Sequence, residues 1–289
     1  MDSPVVYPSL KDAADEASGK AQRNFLGLNI ALLAILALTA LVSGWAPDDL
    51  ERKRSVAMAI AVLMLAALAI TTMLRIGKFD DRWFRCRALA ENMKSAAWFF
   101  VMCPQAQIIL SESNYLKEVA ELQKRLLPVA KEIALCDEGG SLITTWMKET
   151  QSLPLEQKLA IYREHRVQDQ LIWYFEKSRL NIRHEKNWFV AIFVIEFVAV
   201  AYASLQAWQL WGVNAVGGMA AISAGFIAWM QTKRFSDLGV SYSIAANDLR
   251  RIQAERENVT TEEDVQIFVK EIEVAVSREH SMWLARRID

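Results

Sequence analysis

Two long apolar blocks dominate the pattern along the chain, residues 25–74 and 188–230, and each doubles back through a short turn. About 20 apolar residues at about 1.5 Å each cross a ~30 Å hydrocarbon core. The blocks therefore divide into four predicted spans, at about 25–45, 56–74, 188–208 and 210–231. Inside lipid every backbone group must be satisfied within the segment, so these spans are predicted helices. The first pair turns at Trp45-Ala46-Pro47-Asp48-Asp49, the second within residues 206–214, near Gly212. Trp45, Trp208 and Trp211 lie beside these turns, where interfacial aromatics are expected.

Outside the blocks the pattern changes to charged residues with an apolar position every third or fourth residue. No proline lies between Ser55 and Cys103, and Gly77 is the only glycine, which predicts one helix up to Pro104. Val167, Leu171, Tyr174, Ser178 and Ile182 form a stripe of helical period leading into the third span. The fourth span is expected to continue as helix through 241–257. Between the blocks, Ser111 or Ser113 can cap a helix with Leu116, Val119, Leu122, Leu126, Val129 and Ile133 on one face, kinked at Pro128. A turn at Cys136-Asp137-Glu138-Gly139-Gly140 ends it. A further helix is expected near Pro154, with Ser152 as cap and Leu155, Leu159 and Tyr162 inward. The tail carries a capping box, Thr260 with Glu263, and an apolar face of Val265, Phe268, Val269, Ile272 and Val276. No segment reads as a strand. The predicted fold is an all-α membrane protein: four transmembrane helices as two hairpins, with long helices extending into a cytoplasmic helical bundle. The expected domains are a first two-span unit at 1–104, a helical insert at 105–155 and a second two-span unit at 156–289 with the tail helix.

Charge sets the orientation. Lys20, Arg23, Arg75, Lys78, Arg82, Arg85, Arg87, Arg179, Arg183, Lys186, Lys233 and Arg234 lie at the ends away from the turns. The second turn has no Lys or Arg, while Arg52, Lys53 and Arg54 follow the first. The positive-inside rule then puts both termini and the central region in the cytoplasm of a multi-pass protein. The first apolar segment is too long, and its flank too mixed in charge, for a cleavable signal peptide. Although 53% of the residues are hydrophobic, they are concentrated in the two blocks, and a net charge of −1 gives no sign of nucleic-acid binding. Three cysteines, Cys86, Cys103 and Cys136, are an odd number without metal spacing and read as buried or free thiols.

The search for chemistry finds no phosphate-cradling glycine loop, no nucleophile elbow and no metal-binding pattern; His165, His184 and His280 are scattered. Neither catalysis nor a cofactor or metal is expected. The informative polar residue is Glu196, near the middle of the third span, where an ionised acid costs about 2.5–3.5 kcal/mol and should face a bundle interior, a water-filled cavity or a subunit interface. It reads either as a pore-lining carboxylate or as a hydrogen-bonded structural acid. Thr39, Ser43, Ser204 and Ser223 are further pore or interface candidates, although hydroxyls in helices commonly bond their own carbonyls. Gly217, Ala221 and Gly225 form a ridge of small residues that permits close helix approach. Trp98 and Trp173, on the charged helices, read as core aromatics rather than as a ligand platform.

The flanking helices carry a family likeness. In the first copy it rests on Tyr7-Pro8, Ala13, Ala14, Ala17, Ala21-Gln22, Trp83-Phe84, Arg87-Ala88-Leu89-Ala90-Glu91, Lys94 and Trp98. In the second it rests on Arg166, Asp169-Gln170, Trp173-Tyr174, Lys177, Asn181 and the terminal run from Ser277 through Glu279 to Trp283. The chain resembles the SLATT superfamily of two-transmembrane effectors, here in tandem, and Leu89-Ala90-Glu91-Asn92 pairs with Ile244-Ala245-Ala246-Asn247 between the copies.

The resemblance implies a pore-forming or membrane-depolarising effector of a bacterial antiviral or conflict system, gated through its cytoplasmic helices. It also implies location in the bacterial inner membrane and action beside a separate sensor or nucleotide-signal synthase. Four spans are few to enclose a path in one chain, so a homo-oligomer in the bilayer is expected. A membrane-anchored scaffold recruiting a cytoplasmic partner is the alternative. A transporter built on parallel repeats is a weaker one, since no span is broken at its middle.

Overall fold

The computed structural model describes residues 5–45, 47, 49–103, 112–125, 127–207 and 215–288, the side chains of 125 and 278–288 excepted. Among these residues the regular structure is helical throughout. The order is α1 (Ser9–Ser43), α2 (Leu50–Gly77), α3 (Phe79–Met102), α4 (Glu112–Arg125), a 3-10 turn at Leu127–Val129, α5 (Ala130–Ala134), α6 (Thr145–Gln151) and α7 (Leu155–Tyr162). A π-helical turn, Arg163–Gln168, then leads into α8 (Asp169–Ala207), followed by α9 (Val216–Lys233), α10 (Phe235–Glu255) and α11 (Glu262–Ile288).

The chain divides into two compact units. One comprises 1–22, 80–178 and 240–289; the other comprises 23–79 and 179–239. Among the described residues, three stretches are long and apolar enough to cross a membrane, namely Ser9–Ser43, Leu50–Met102 and Leu155–Ala207. The fourth predicted span corresponds to α9, which is 18 residues long; it begins next to residues 208–214, so Trp208, Trp211 and Gly212 lie outside the described residues.

The first unit holds the core. The tail stripe is buried as expected, with Val265, Phe268, Val269 and Ile272 fully enclosed and Val276 nearly so. Val119, Leu122, Val129 and Ile133 are also buried, but Leu116 is 41% exposed and Tyr115 takes the inward position beside it. Leu126 lies outside the described residues. Val167, Tyr174 and Ser178 are buried, whereas Ile182 is exposed and belongs to the other unit.

The caps shift from their expected residues. In the tail, Thr261 rather than Thr260 is the cap: its Oγ1 accepts from the Asp264 amide at 3.2 Å and donates to the Asp264 carboxylate at 2.7 Å. The helix thus starts one residue later than the box predicted, with Asp264 at the third helical position. Ser152 does not cap α7. It closes α6, donating to the Glu149 carbonyl at 2.7 Å, and Pro154 opens α7 without a side-chain cap. Ser113 falls inside the first turn of α4, and Ser111 is outside the described residues. The unforeseen α6 is capped by Thr144, whose hydroxyl accepts from the Met147 amide at 3.2 Å and donates to the Val6 carbonyl at 2.8 Å.

The expected continuous helices are interrupted. α2 stops at Gly77 and α3 begins at Phe79, with Lys78 between them in the left-handed region at φ 43°. α9 and α10 are likewise separated by Arg234, at φ 52°. At the first break the Phe79 ring lies over Gly77, where an added Cβ would meet the ring and force it to move. By contrast, α8 is unbroken from Asp169 to Ala207.

The breaks also reset the pairing of the copies. Counted from Lys78 and Arg234, Leu89 matches Ala245, Ala90 matches Ala246 and Met93 matches Leu249, and all six are buried. Ile244, the counterpart of Leu89 by sequence likeness, is 52% exposed, whereas Leu89 is buried.

Candidate functional site

The apolar unit brings two of the predicted polar residues together. Ser223, buried on α9, donates a hydrogen bond of 2.7 Å to Glu196 Oε1 on α8. The carboxylate itself is exposed on the surface of the chain, beside Phe193, Phe197 and Val200, which are 62%, 68% and 66% exposed. Pairing with one hydroxyl leaves most of its acceptor capacity directed away from α9. The remaining candidates stay local: Thr39 donates to the Ile35 carbonyl, Ser43 to Ala40 and Ser204 to Val200, at 2.8, 2.8 and 2.9 Å. The small-residue ridge is displaced by one position. Gly217 and Gly225 face open space, and the close approach falls at Gly218, where an added Cβ would collide with Leu41 Cδ2 on α1.

The core unit contains a second polar assembly. Glu273 of α11 and Arg166 of the π-helical turn form a buried pair, with 2% and 4% of their side chains exposed. Arg166 Nε donates to Oε1 at 3.0 Å and Nη2 to Oε2 at 2.6 Å. Ser95 of α3 donates to Oε2 at 2.6 Å, and Tyr162 of α7 donates to Oε1 at 3.0 Å. Four donors thus converge on one carboxylate. Burial alone would lower the Arg166 pKa, but the charge and hydrogen bonds of Glu273 outweigh it and raise the pKa above its ordinary value. Burial, reinforced by Glu273, pushes the Tyr162 phenol well up, so it remains a donor. A π turn widens the helix by one residue and often marks a specialised site; here it carries Arg166 and Val167 into the core together.

Beside this pair, the fully buried Trp98 meets Trp146 and Tyr162 edge-on at 5.4 and 5.2 Å, and its indole donates to the Tyr7 hydroxyl at 3.0 Å. Trp98 is a core aromatic. Trp83 stacks on Phe84 at 4.5 Å, and its carbonyl accepts from Ser18 at 3.3 Å. Arg87 reaches both Asp15 and Glu91, at 3.8 and 2.9 Å, and Lys94 also pairs with Glu91 at 3.1 Å. Burial lowers the Lys94 pKa. Tyr174 is buried, and Trp173 is half-buried with its ring edge-on to Tyr174 and Tyr242, each at 5.2 Å. Asp169 is exposed and Gln170 half-buried. The side chains of Glu279 and Trp283 lie outside the described residues.

Pattern reading passed over Glu273 and Ser95. The signal for Glu273 was present, since it falls on the buried tail stripe between Val269 and Val276, where a charge needs a partner.

Comparison with protein families matches residues 8–159 to SMODS and SLOG-associating 2TM effector domain 3 and residues 162–283 to SMODS and SLOG-associating 2TM effector domain 1. The chain is a tandem SLATT protein. Neither curated proteins nor solved structures give a match. The two SLATT matches meet between Leu159 and Tyr162, just ahead of the π turn. The long apolar helices and the two-span character of the family together make this a membrane protein with effector domains.

Proposed function

We propose that this SLATT protein is a non-catalytic effector of a bacterial antiviral or conflict system that opens an ion path and depolarises the inner membrane. In this reading four spans form two hairpins, with both termini and the central region in the cytoplasm, as the Lys and Arg distribution favours. Copies assemble in the bilayer, and a separate sensor or nucleotide-signal synthase supplies the trigger. The observation that carries the reading is Glu196, a carboxylate on an apolar helix, held by Ser223 and exposed among Phe193, Phe197 and Val200. Facing lipid there, it would cost about 2.5–3.5 kcal/mol or more, so it calls for a polar neighbour from another copy or a water-filled path.

The test is regulated expression with the neighbouring genes in bacterial cells loaded with a potential-sensitive dye. Depolarisation is expected, together with a clear change in its extent for Glu196→Leu and a smaller one for Ser223→Ala. An unchanged potential, with the protein present in the membrane and its neighbours expressed, overturns the proposal.

A further inference from the structure

Lys78 and Arg234 are the non-glycine residues with positive φ among the described residues, at 43° and 52°. They occupy the same place in the two copies. Each is basic, each follows a long apolar helix, each precedes a phenylalanine, and each has an aspartate three residues on, Asp81 and Asp237. The buried alanines Ala90 and Ala246 then follow at equal intervals. Chance placement of two strained residues at matching positions is a poor account of this coincidence.

We infer that these two breaks are hinges, each able to switch between the interrupted form and a continuous helix. A left-handed non-glycine residue is disfavoured by roughly a factor of ten relative to helix. No proline lies between Leu50 and Met102 or between Val216 and Glu255, so neither segment has a covalent bar to a continuous helix. The interrupted form is held by particular contacts. At the first break, the Phe79 ring occupies the volume of a Gly77 side chain. In a continuous helix, residues two apart point about 200° from one another, so that contact is lost on straightening. At the second, Phe235 is buried with its ring 5.4 Å from His184, while the Arg234–Asp237 pair, at 2.7 Å and three residues apart, is equally compatible with a continuous helix. Each hinge therefore sets backbone strain against the local packing of the phenylalanine that follows it, and such a balance can be tipped. The inference stands on the two breaks and does not rest on the proposed ion path.

The test measures a distance across the first hinge in the full chain reconstituted in lipid vesicles. Spin labels at Met73→Cys and Asn92→Cys, both exposed, are separated by about 19 residues, or about 28 Å in a continuous helix, and that distance marks the straightened state. Cys136→Ser removes the half-exposed native thiol, since Cys86 and Cys103 are buried. Lys78→Gly relieves the left-handed strain and weakens the helix, whereas Lys78→Ala does the reverse. Both remove the charge, so the comparison isolates the backbone. The continuous population is expected to rise at least about tenfold from Gly to Ala. It should also rise for Gly77→Ala, whose Cβ would collide with the Phe79 ring in the interrupted form. Superimposable distance distributions in the three variants would overturn the hinge. If the distances shift while ion flux across the same vesicles, measured also for Arg234→Gly and Arg234→Ala, stays constant, the hinge stands and its link to the proposed function fails.

Discussion

Replacing Glu273 with alanine, while leaving Arg166 in place, tests whether the buried pair carries the core or merely occupies it. The guanidinium has 4% of its side chain exposed and loses its ion-pair partner. An uncompensated buried charge of this kind costs about 3–5 kcal/mol. The Ser95 and Tyr162 hydroxyls lose their acceptor as well, but they belong to the same network, so their losses do not add in full. At about 2–4 °C per kcal/mol for a folding unit of this size, the midpoint should fall by roughly 6–20 °C. Thiol reactivity on heating in detergent reports this unit selectively, because Cys86 and Cys103 are buried within it and Cys136→Ser silences the half-exposed one. The double variant Arg166→Met/Glu273→Leu removes both charges and keeps most of the volume. It should recover most of the loss, since a buried pair is often no more stable than its apolar replacement. A midpoint for Glu273→Ala within about 2 °C of the parent would refute the reasoning. So would a double variant less stable than the single one, which would mean that the polar geometry, rather than the unpaired charge, carries the cost.

In the apolar unit, Gly218→Ala should destabilise by about 1–3 kcal/mol through overpacking, and Leu41→Val should restore part of it, because the new Cβ would collide with Leu41 Cδ2. Gly217→Ala, with nothing within 4 Å, should be neutral or stabilise the helix by up to about 1 kcal/mol, and equal melting of the two glycine variants in detergent would contradict the packing described. Burial pushes the thiols of Cys86 and Cys103 up from 9.0 to about 11 and about 12. Above pH 9.0 the unfolded chain therefore loses protons that the fold retains, and stability falls as pH rises through this window. Cys86→Ala/Cys103→Ala should flatten the fall of the melting midpoint between about pH 9 and 10, below the range where Tyr162 joins in; an unaltered slope would count against the burial of these thiols.

What the sequence disclosed depended on how many residues carried each signal. The tail helix was legible because Val265, Phe268, Val269, Ile272 and Val276 repeat one helical phase, and all five are buried. A single glycine carries less information. Adjacent positions on a helix differ by about 100°, so the ridge through Gly217 and the packed face at Gly218 are indistinguishable by spacing alone, and Leu41 decides between them. The break at Lys78 was hidden for a related reason. Nothing in Arg75-Ile76-Gly77-Lys78 forbids a helix, and the interruption depends on a ring that seats only after the turn has formed. Glu196 was legible as a charge in an apolar run, but its partner Ser223 was one hydroxyl among many until the helices were placed.

The core also explains why the two SLATT copies belong on one chain. Ser95 and Trp98 come from the first matched region; Tyr162, Arg166, Phe268 and Glu273 come from the second. The Glu273 carboxylate takes hydrogen bonds from both, and the Trp98 ring is flanked by Trp146 of the first and Tyr162 of the second. Separated, the second region would bury a carboxylate short of one donor, and the first would expose the face of its largest buried aromatic. Neither has a complete core of its own. The helices that follow the two breaks, α3 and α10, bury Ala90 and Ala246 in this shared core.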